Sequence, residues 1–83
     1  MSNNIYTVTS PVMGTFYRSA APGEPALVAE GQKINEGDMV CIIESMKIFT
    51  ELRSEKSGTI GKILVDNEDA VMKNQALIEI IPD

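Results

Sequence analysis

The chain has few residues with which to do chemistry. It contains no histidine, so no Ser–His or Cys–His pair and no His/Cys cluster with metal-ligand spacing can be assembled. The acidic stretch Asp66-Asn67-Glu68-Asp69 lacks the glycine and the terminal glutamate of a calcium loop, and reads as a solvated turn. No glycine-rich loop leads into a helix to cradle phosphate. Catalytic and metal-ligating residues are therefore expected to be absent. What remains is a primary amine, Lys47, beside Met46 in the run Glu44-Ser45-Met46-Lys47-Ile48. The chemistry open to it is that of the amine; the alternative is an ordinary solvated lysine next to a loosely packed methionine.

An internal repeat marks this lysine out from Lys33, Lys56, Lys62 and Lys73. Displaced by 44 positions, Ile5 meets Phe49, Ser10 meets Ser54, Gly14-Thr15 meets Gly58-Thr59 and Arg18 meets Lys62. Displaced by 37, Leu27-Val28 meets Leu64-Val65, Ile34 meets Val71, Val40-Cys41 meets Leu77-Ile78 and Ile43 meets Ile80. Two similar halves are joined end to end, and the junction falls at Met46-Lys47. The registers differ by 44 − 37 = 7 residues, an insertion in the first half over Ser19-Ala20-Ala21-Pro22-Gly23-Glu24-Pro25. With two prolines, a glycine and no large apolar residue, it is expected to protrude and to add little to a core.

Those halves must be built from strands. Turn chemistry recurs at Ser10-Pro11, Asn35–Asp38, Lys56–Gly58, Asp66–Asp69 and Lys73–Gln75, between runs rich in Ile, Val, Thr, Tyr and Phe. The spacing predicts strands near 5–9, 13–18, 39–45, 48–53, 58–65 and 76–81, with shorter pieces near 27–28, 33–34 and 70–72. Residues 39, 42, 43, 46 and 49 also fit a helical stripe. The repeat decides against it: Ile43 corresponds to Ile80, after which Pro82 ends the second copy, so the first copy must turn at about Met46-Lys47. A tight hairpin favours Asn-Gly or Gly-X, whose backbone accepts positive φ. Met-Lys breaks that rule, and such a breach marks a candidate functional site.

Composition bounds the rest. Eighty-three residues make one domain, 1–83, with a small core, and a hydrophobic content of 43% argues against wholesale disorder. A net charge of −5 without a basic patch excludes the counterion displacement on which nucleic-acid binders rely, and an acidic membrane surface would repel the chain. No run approaches the ~20 apolar residues of a membrane span. Cys41, alone in the run Val40-Cys41-Ile42-Ile43, is expected to be a buried thiol in a reducing compartment. Met1-Ser2-Asn3-Asn4 offers no basic start to a secretory signal, so a cytoplasmic location is expected, or a plastid if the parent chain is longer.

The run Glu44-Ser45-Met46-Lys47-Ile48 resembles the biotin-attachment motif of biotinyl domains, usually Glu-Ala-Met-Lys-Met. The stretches Ser10–Arg18, Gly31–Asp38 and Lys56–Ile60 are similar to the biotin carboxyl carrier protein of bacterial-type acetyl-CoA carboxylase, and the likeness extends over about residues 9–81. Ser45 and Ile48 depart from the usual Ala and Met but keep size and apolar bulk, so modification is expected to survive. The resemblance implies an all-β flattened barrel of two antiparallel four-stranded sheets with quasi-twofold symmetry. It implies covalent biotin on Lys47, with Glu44, Ser45, Met46 and Ile48 forming the attachment motif. It also implies that Ser19, Ala20, Ala21, Pro22, Gly23, Glu24, Pro25 and Ala26 form a protruding "thumb".

By that resemblance the domain is a carrier and not an enzyme. Its expected partners are a biotin protein ligase, a biotin carboxylase using ATP and bicarbonate, and a carboxyltransferase that forms malonyl-CoA from acetyl-CoA for fatty acid synthesis. Two alternatives stand beside it. A lipoyl domain shares the fold but has Asp-Lys-Ala at the tip, whereas this chain has Met46 and a thumb. An unmodified β-barrel interaction module would leave Lys47 incidental.

Overall fold

The computed structural model describes residues 4–83. Eight strands follow in order: β1 (Tyr6–Thr9), β2 (Gly14–Tyr17), β3 (Lys33–Ile34), β4 (Met39–Ser45), β5 (Ile48–Arg53), β6 (Gly58–Ile63), β7 (Ala70–Val71) and β8 (Ala76–Pro82). They form two antiparallel four-stranded sheets, ordered β1-β8-β6-β3 and β5-β4-β2-β7. The hairpin expected over 39–52 is present, and not the helix that the apolar stripe there would also fit.

The repeat is reproduced in the pairing itself. Ile43 pairs with Thr50, and 37 and 44 positions away Ile80 pairs with Tyr6. Thr15 faces Glu44 as Thr59 faces Ile81. Gly14 faces Val71 as Gly58 faces Ile34. One irregularity also corresponds, between Met39 and Cys41 in one ladder and between Val8 and Thr9 in the other, whereas the shift between Ile60 and Ile63 has no mate because β2 ends at Tyr17. Each sheet is the quasi-twofold mate of the other.

Equivalent positions fill the core. Phe16 and Ile60, Ile43 and Ile80, Val40 and Leu77, Cys41 and Ile78, and Ile34 and Val71 are all buried. Ser10 and Ser54, polar but buried, each donate a hydroxyl hydrogen bond two residues on, to Val12 O (2.6 Å) and Lys56 O (2.5 Å). Buried hydroxyls satisfied in this way fix the bend that leads into β2 and β6. Burial pushes the Cys41 thiol up to about 12, so it stays protonated and unreactive, as expected of a structural cysteine.

One predicted piece is not a strand. At 27–28, Leu27 N donates to Arg18 O (2.7 Å), but Ala29 N then turns to the side chain of Gln32 (3.0 Å). The chain therefore bends before a ladder can form, although Val28 still reaches the core. The predicted 58–65 likewise ends at Ile63.

Candidate functional site

Lys47 lies at the tip of the β4–β5 hairpin. Ser45 pairs with Ile48, leaving Met46 and Lys47 as a two-residue turn. Both have positive φ, 53° and 65°. This is the backbone of a type I′ turn, the form whose twist matches that of the flanking strands. Side chains other than Gly, Asn and Asp disfavour it by roughly 1–2 kcal/mol per residue. The turn predicted from the repeat is therefore present, and two residues of the wrong type occupy it.

The tip is exposed as well as strained. Met46 is 90% exposed, Ile48 66% and Phe49 62%, so apolar side chains crowd the tip in water. Lys47 is exposed too, and makes no ion pair among the described residues. Its amine is free to be approached. Of the predicted motif residues, Met46, Lys47 and Ile48 stand at the tip, while Glu44 and Ser45 are half-buried in β4.

Glu44 is held in place. Tyr17, on the neighbouring strand β2, donates its hydroxyl hydrogen to Glu44 Oε1 at 3.0 Å. This bond, with partial burial and the nearby Glu44 and Glu68 charges, raises the Tyr17 phenol above its ordinary value. The Tyr17 ring is tilted against Phe49 of β5, with centroids 6.4 Å apart. One side chain thus ties β2, β4 and β5 together on the outer face below the lysine.

The thumb shares this face. A bridge between Ser19 and Ala26 closes the loop, and Ala20 through Ala26 are exposed. Between thumb and sheet lies a groove of about 150 Å³. Ile42 belongs to its lining, beside Ala20, Ala21, Pro22, Tyr17 and Phe49, with Asn67 and Glu68 contributed by the loop before β7. Ile42 lies opposite Tyr17 in one ladder and Glu51 in the other, yet is buried. The insertion therefore brings Ser19 to Pro22 to the sheet that carries Lys47, while Gly23 to Ala26 complete the outer, exposed part of the loop.

Sequence reasoning missed the groove walls Tyr17, Phe49, Asn67 and Glu68. Tyr17 and Phe49 read as strand residues, and Asp66–Asp69 read as a solvated turn. A signal for Glu68 was nevertheless present: the 37-residue register places it on Gly31. Among the described residues no group of three or more His, Cys, Asp or Glu side chains is placed to hold a metal ion. No helix among them is long and apolar enough to cross a membrane.

Comparison with known proteins bears on this geometry. Residues 6–80 match the biotin/lipoyl family, described as "Biotin-requiring enzyme". The chain is 49% identical over 76 residues to the biotin carboxyl carrier protein of acetyl-CoA carboxylase from Nostoc sp., covering 92% of this chain and 42% of that protein. It is 45% identical over 74 residues to the protein of the same description from Pseudomonas aeruginosa, covering 89% and 47%. It is 48% identical over 73 residues to a chloroplastic carrier from Arabidopsis thaliana, covering 88% and 29%. The chain thus spans less than half the length of these relatives. Among solved structures, the Kluyveromyces lactis urea carboxylase matches with a TM-score of 0.78 at 30% identity, over 98% of this chain and 6% of that one.

Proposed function

This chain belongs to the biotin/lipoyl family, and from that premise we propose that residues 1–83 form a single biotin-carrying domain of an acetyl-CoA carboxylase carrier protein. The observation that carries the proposal is the tip of the β4–β5 hairpin. An exposed lysine there sits on a strained turn, beside a 90% exposed methionine, in a fold that needs neither residue. Biotin fits this tip, since a free primary amine is what an amide bond to its side-chain carboxyl requires.

Lys47 presents the amine, and a biotin protein ligase removes its proton and joins it to biotin. The Lys47 nitrogen attacks the activated carboxyl carbon, an amide forms, and the activating group departs. Once bound, biotin supplies a ring that takes up a carboxyl group at a biotin carboxylase and gives it to acetyl-CoA at a carboxyltransferase. The chain's own residues do the positioning. The paired sheets hold the hairpin rigid, and the tether keeps the group at high local concentration near each partner without tight docking. The thumb residues Ser19–Ala26 would form a wall for the tethered ring, restricting its wandering between partners. Pro22 and Pro25 limit the conformations of that wall.

The domain itself is non-catalytic in this reading, and it works in an aqueous compartment, the cytoplasm or a plastid. Intact-mass measurement after co-expression with a biotin ligase tests the assignment. We expect one biotin per chain, and none in Lys47→Arg, which keeps the charge but not the primary amine. Biotin on the Lys47→Arg chain, or an unmodified wild-type chain, overturns it.

A further inference from the structure

Among the described residues, four other than glycine hold left-handed backbone: Met46, Lys47, Glu68 and Asn74. Asparagine tolerates that conformation, so Asn74 is unremarkable for its type. Met46 and Lys47 are explained by the attachment tip. Glu68, at φ 71°, is left over.

The repeat shows what its turn would otherwise take. Asp66 N donates to Asp69 Oδ2 (2.9 Å), as Ala29 N donates to Gln32 Oε1 (3.0 Å). Glu68 N donates to Phe16 O (2.6 Å), as Gly31 N donates to Ile60 O (2.8 Å). The two turns are copies, and the position of Glu68 is filled in the first by Gly31, with φ 88°. A Cβ placed on Gly31 meets nothing within 4 Å, so the turn has room for a side chain and the penalty is one of backbone conformation. The fold thus accepts glycine here without strain, and the second copy carries a glutamate all the same.

That glutamate stands where its carboxylate has something to do. Glu68 lines the thumb groove beside Asn67 and Tyr17. Of the neighbouring polar groups, the Tyr17 hydroxyl donates to Glu44, and Asn67 Oδ1 accepts from Arg18 N at 2.8 Å. The Glu68 carboxylate takes part in no hydrogen bond or ion pair among the described residues. It is the charged group of a groove whose remaining walls, Ser19 apart, are the apolar Ala20, Ala21, Pro22, Ile42 and Phe49. Phe49 lies two residues beyond Lys47, on the strand that leaves the tip.

Resting on the reading of Lys47 as the biotin site and the thumb as the ring's rest, we infer that Glu68 is the specificity-determining residue of that groove. Its carboxylate accepts a hydrogen bond from one N–H of the cyclic urea of biotin tethered at Lys47, while the thumb alanines and Phe49 flank the ring. A heterocycle with apolar faces and an N–H donor at its edge matches these walls. The strain at residue 68 is the means by which the second copy places an acceptor where the first has none.

Replacement of Glu68 by its repeat mate separates this role from a structural one, because the two consequences have opposite signs. In the biotinylated 83-residue chain, Glu68→Gly is expected to raise the melting temperature by roughly 4–8 °C as the backbone strain is relieved. The same variant is expected to lose, at least threefold, the nuclear Overhauser contacts between the ring and the Ala20 and Ala21 methyl groups, and to gain ring mobility in relaxation measurements. Glu68→Gln, which keeps an acceptor oxygen at the same place, is expected to retain most of the contacts. Unchanged ring contacts in Glu68→Gly, or a loss as complete in Glu68→Gln, overturns the assignment. A wild-type chain that is biotinylated on Lys47 but shows no ring–groove contact refutes the thumb reading beneath it, and a chain not modified at all refutes the carrier reading instead.

Discussion

The Met46-Lys47 tip and the Tyr6–Ile80 end of the β1–β8 ladder occupy symmetry-related places, and only the first is closed by a two-residue turn. The ladder of β4 with β5 runs from Met39↔Arg53 to Ser45↔Ile48, and its mate, β8 with β1, runs from Ala76↔Thr9 to Ile80↔Tyr6. The second ladder holds with no tight turn joining Ile80 to Tyr6, since β1 and β8 are the first and last strands of the sandwich. Pairing in this fold therefore does not depend on the tip, and the identity of its two residues answers to something other than folding. The outer face repeats the contrast. Tyr17, Glu44 and Phe49, which meet beside Lys47, correspond to Gly61, Ile81 and Ile5 in the other half. The interior is shared between the halves, and the additions are confined to the face and end that carry the lysine.

If the two halves are equal in what holds them together, equal damage should have equal effect. Gly14 and Gly58 are mates, and a Cβ on either would run into backbone, Glu44 O for one and Ile81 O for the other. Backbone oxygens cannot swing aside as a side chain would. Gly14→Ala and Gly58→Ala are each expected to destabilise the chain by about 2–3 kcal/mol, measured by urea denaturation. A difference of more than about 1 kcal/mol between them, near the spread expected for matched sites, would break the equivalence of the two sheets.

The unequal part responds differently. Replacing Met46-Lys47 by Asn-Gly gives the turn the residues its backbone favours. We expect a gain of about 1–2 kcal/mol in unfolding free energy, together with complete loss of biotin incorporation. A loss of stability would mean that Met46 or Lys47 contributes packing that the exposed tip does not show.

How much of this was legible beforehand follows from where the repeat reaches. Strand pairing, the buried pairs and the turn at Met46-Lys47 were readable because Ile43 and Ile80 fixed the register without reference to local propensity, which over 39–52 also allowed a helix. The short strand expected at 27–28 failed because backbone bonding there is captured by the Gln32 side chain, a competition that apolar pattern does not encode. Tyr17 and Phe49 were not singled out because their meeting requires three strands and the thumb to be in place. Glu68 was a different case. Its alignment with Gly31 lies in the 37-residue register, but a charged residue in an acidic loop looks like solvation until the φ angle is known.

The smallest expected effect is the sharpest test of whether the tip is separate from the fold. Met46 is 90% exposed, so removing its side chain returns little apolar area to water. Alanine is no better suited to positive φ than methionine, so the turn strain is unchanged by Met46→Ala. Unfolding free energy should therefore move by no more than about 0.5 kcal/mol. The side chain can act only outward, in a pocket of a partner that approaches Lys47, and its removal should slow ligation several-fold while leaving denaturation curves superimposable. Titration of ligase velocity against carrier concentration, run beside urea denaturation of the same preparation, reads both quantities. A large loss of stability with unaltered ligation would place Met46 in the interior and make the two ends of the sandwich alike after all.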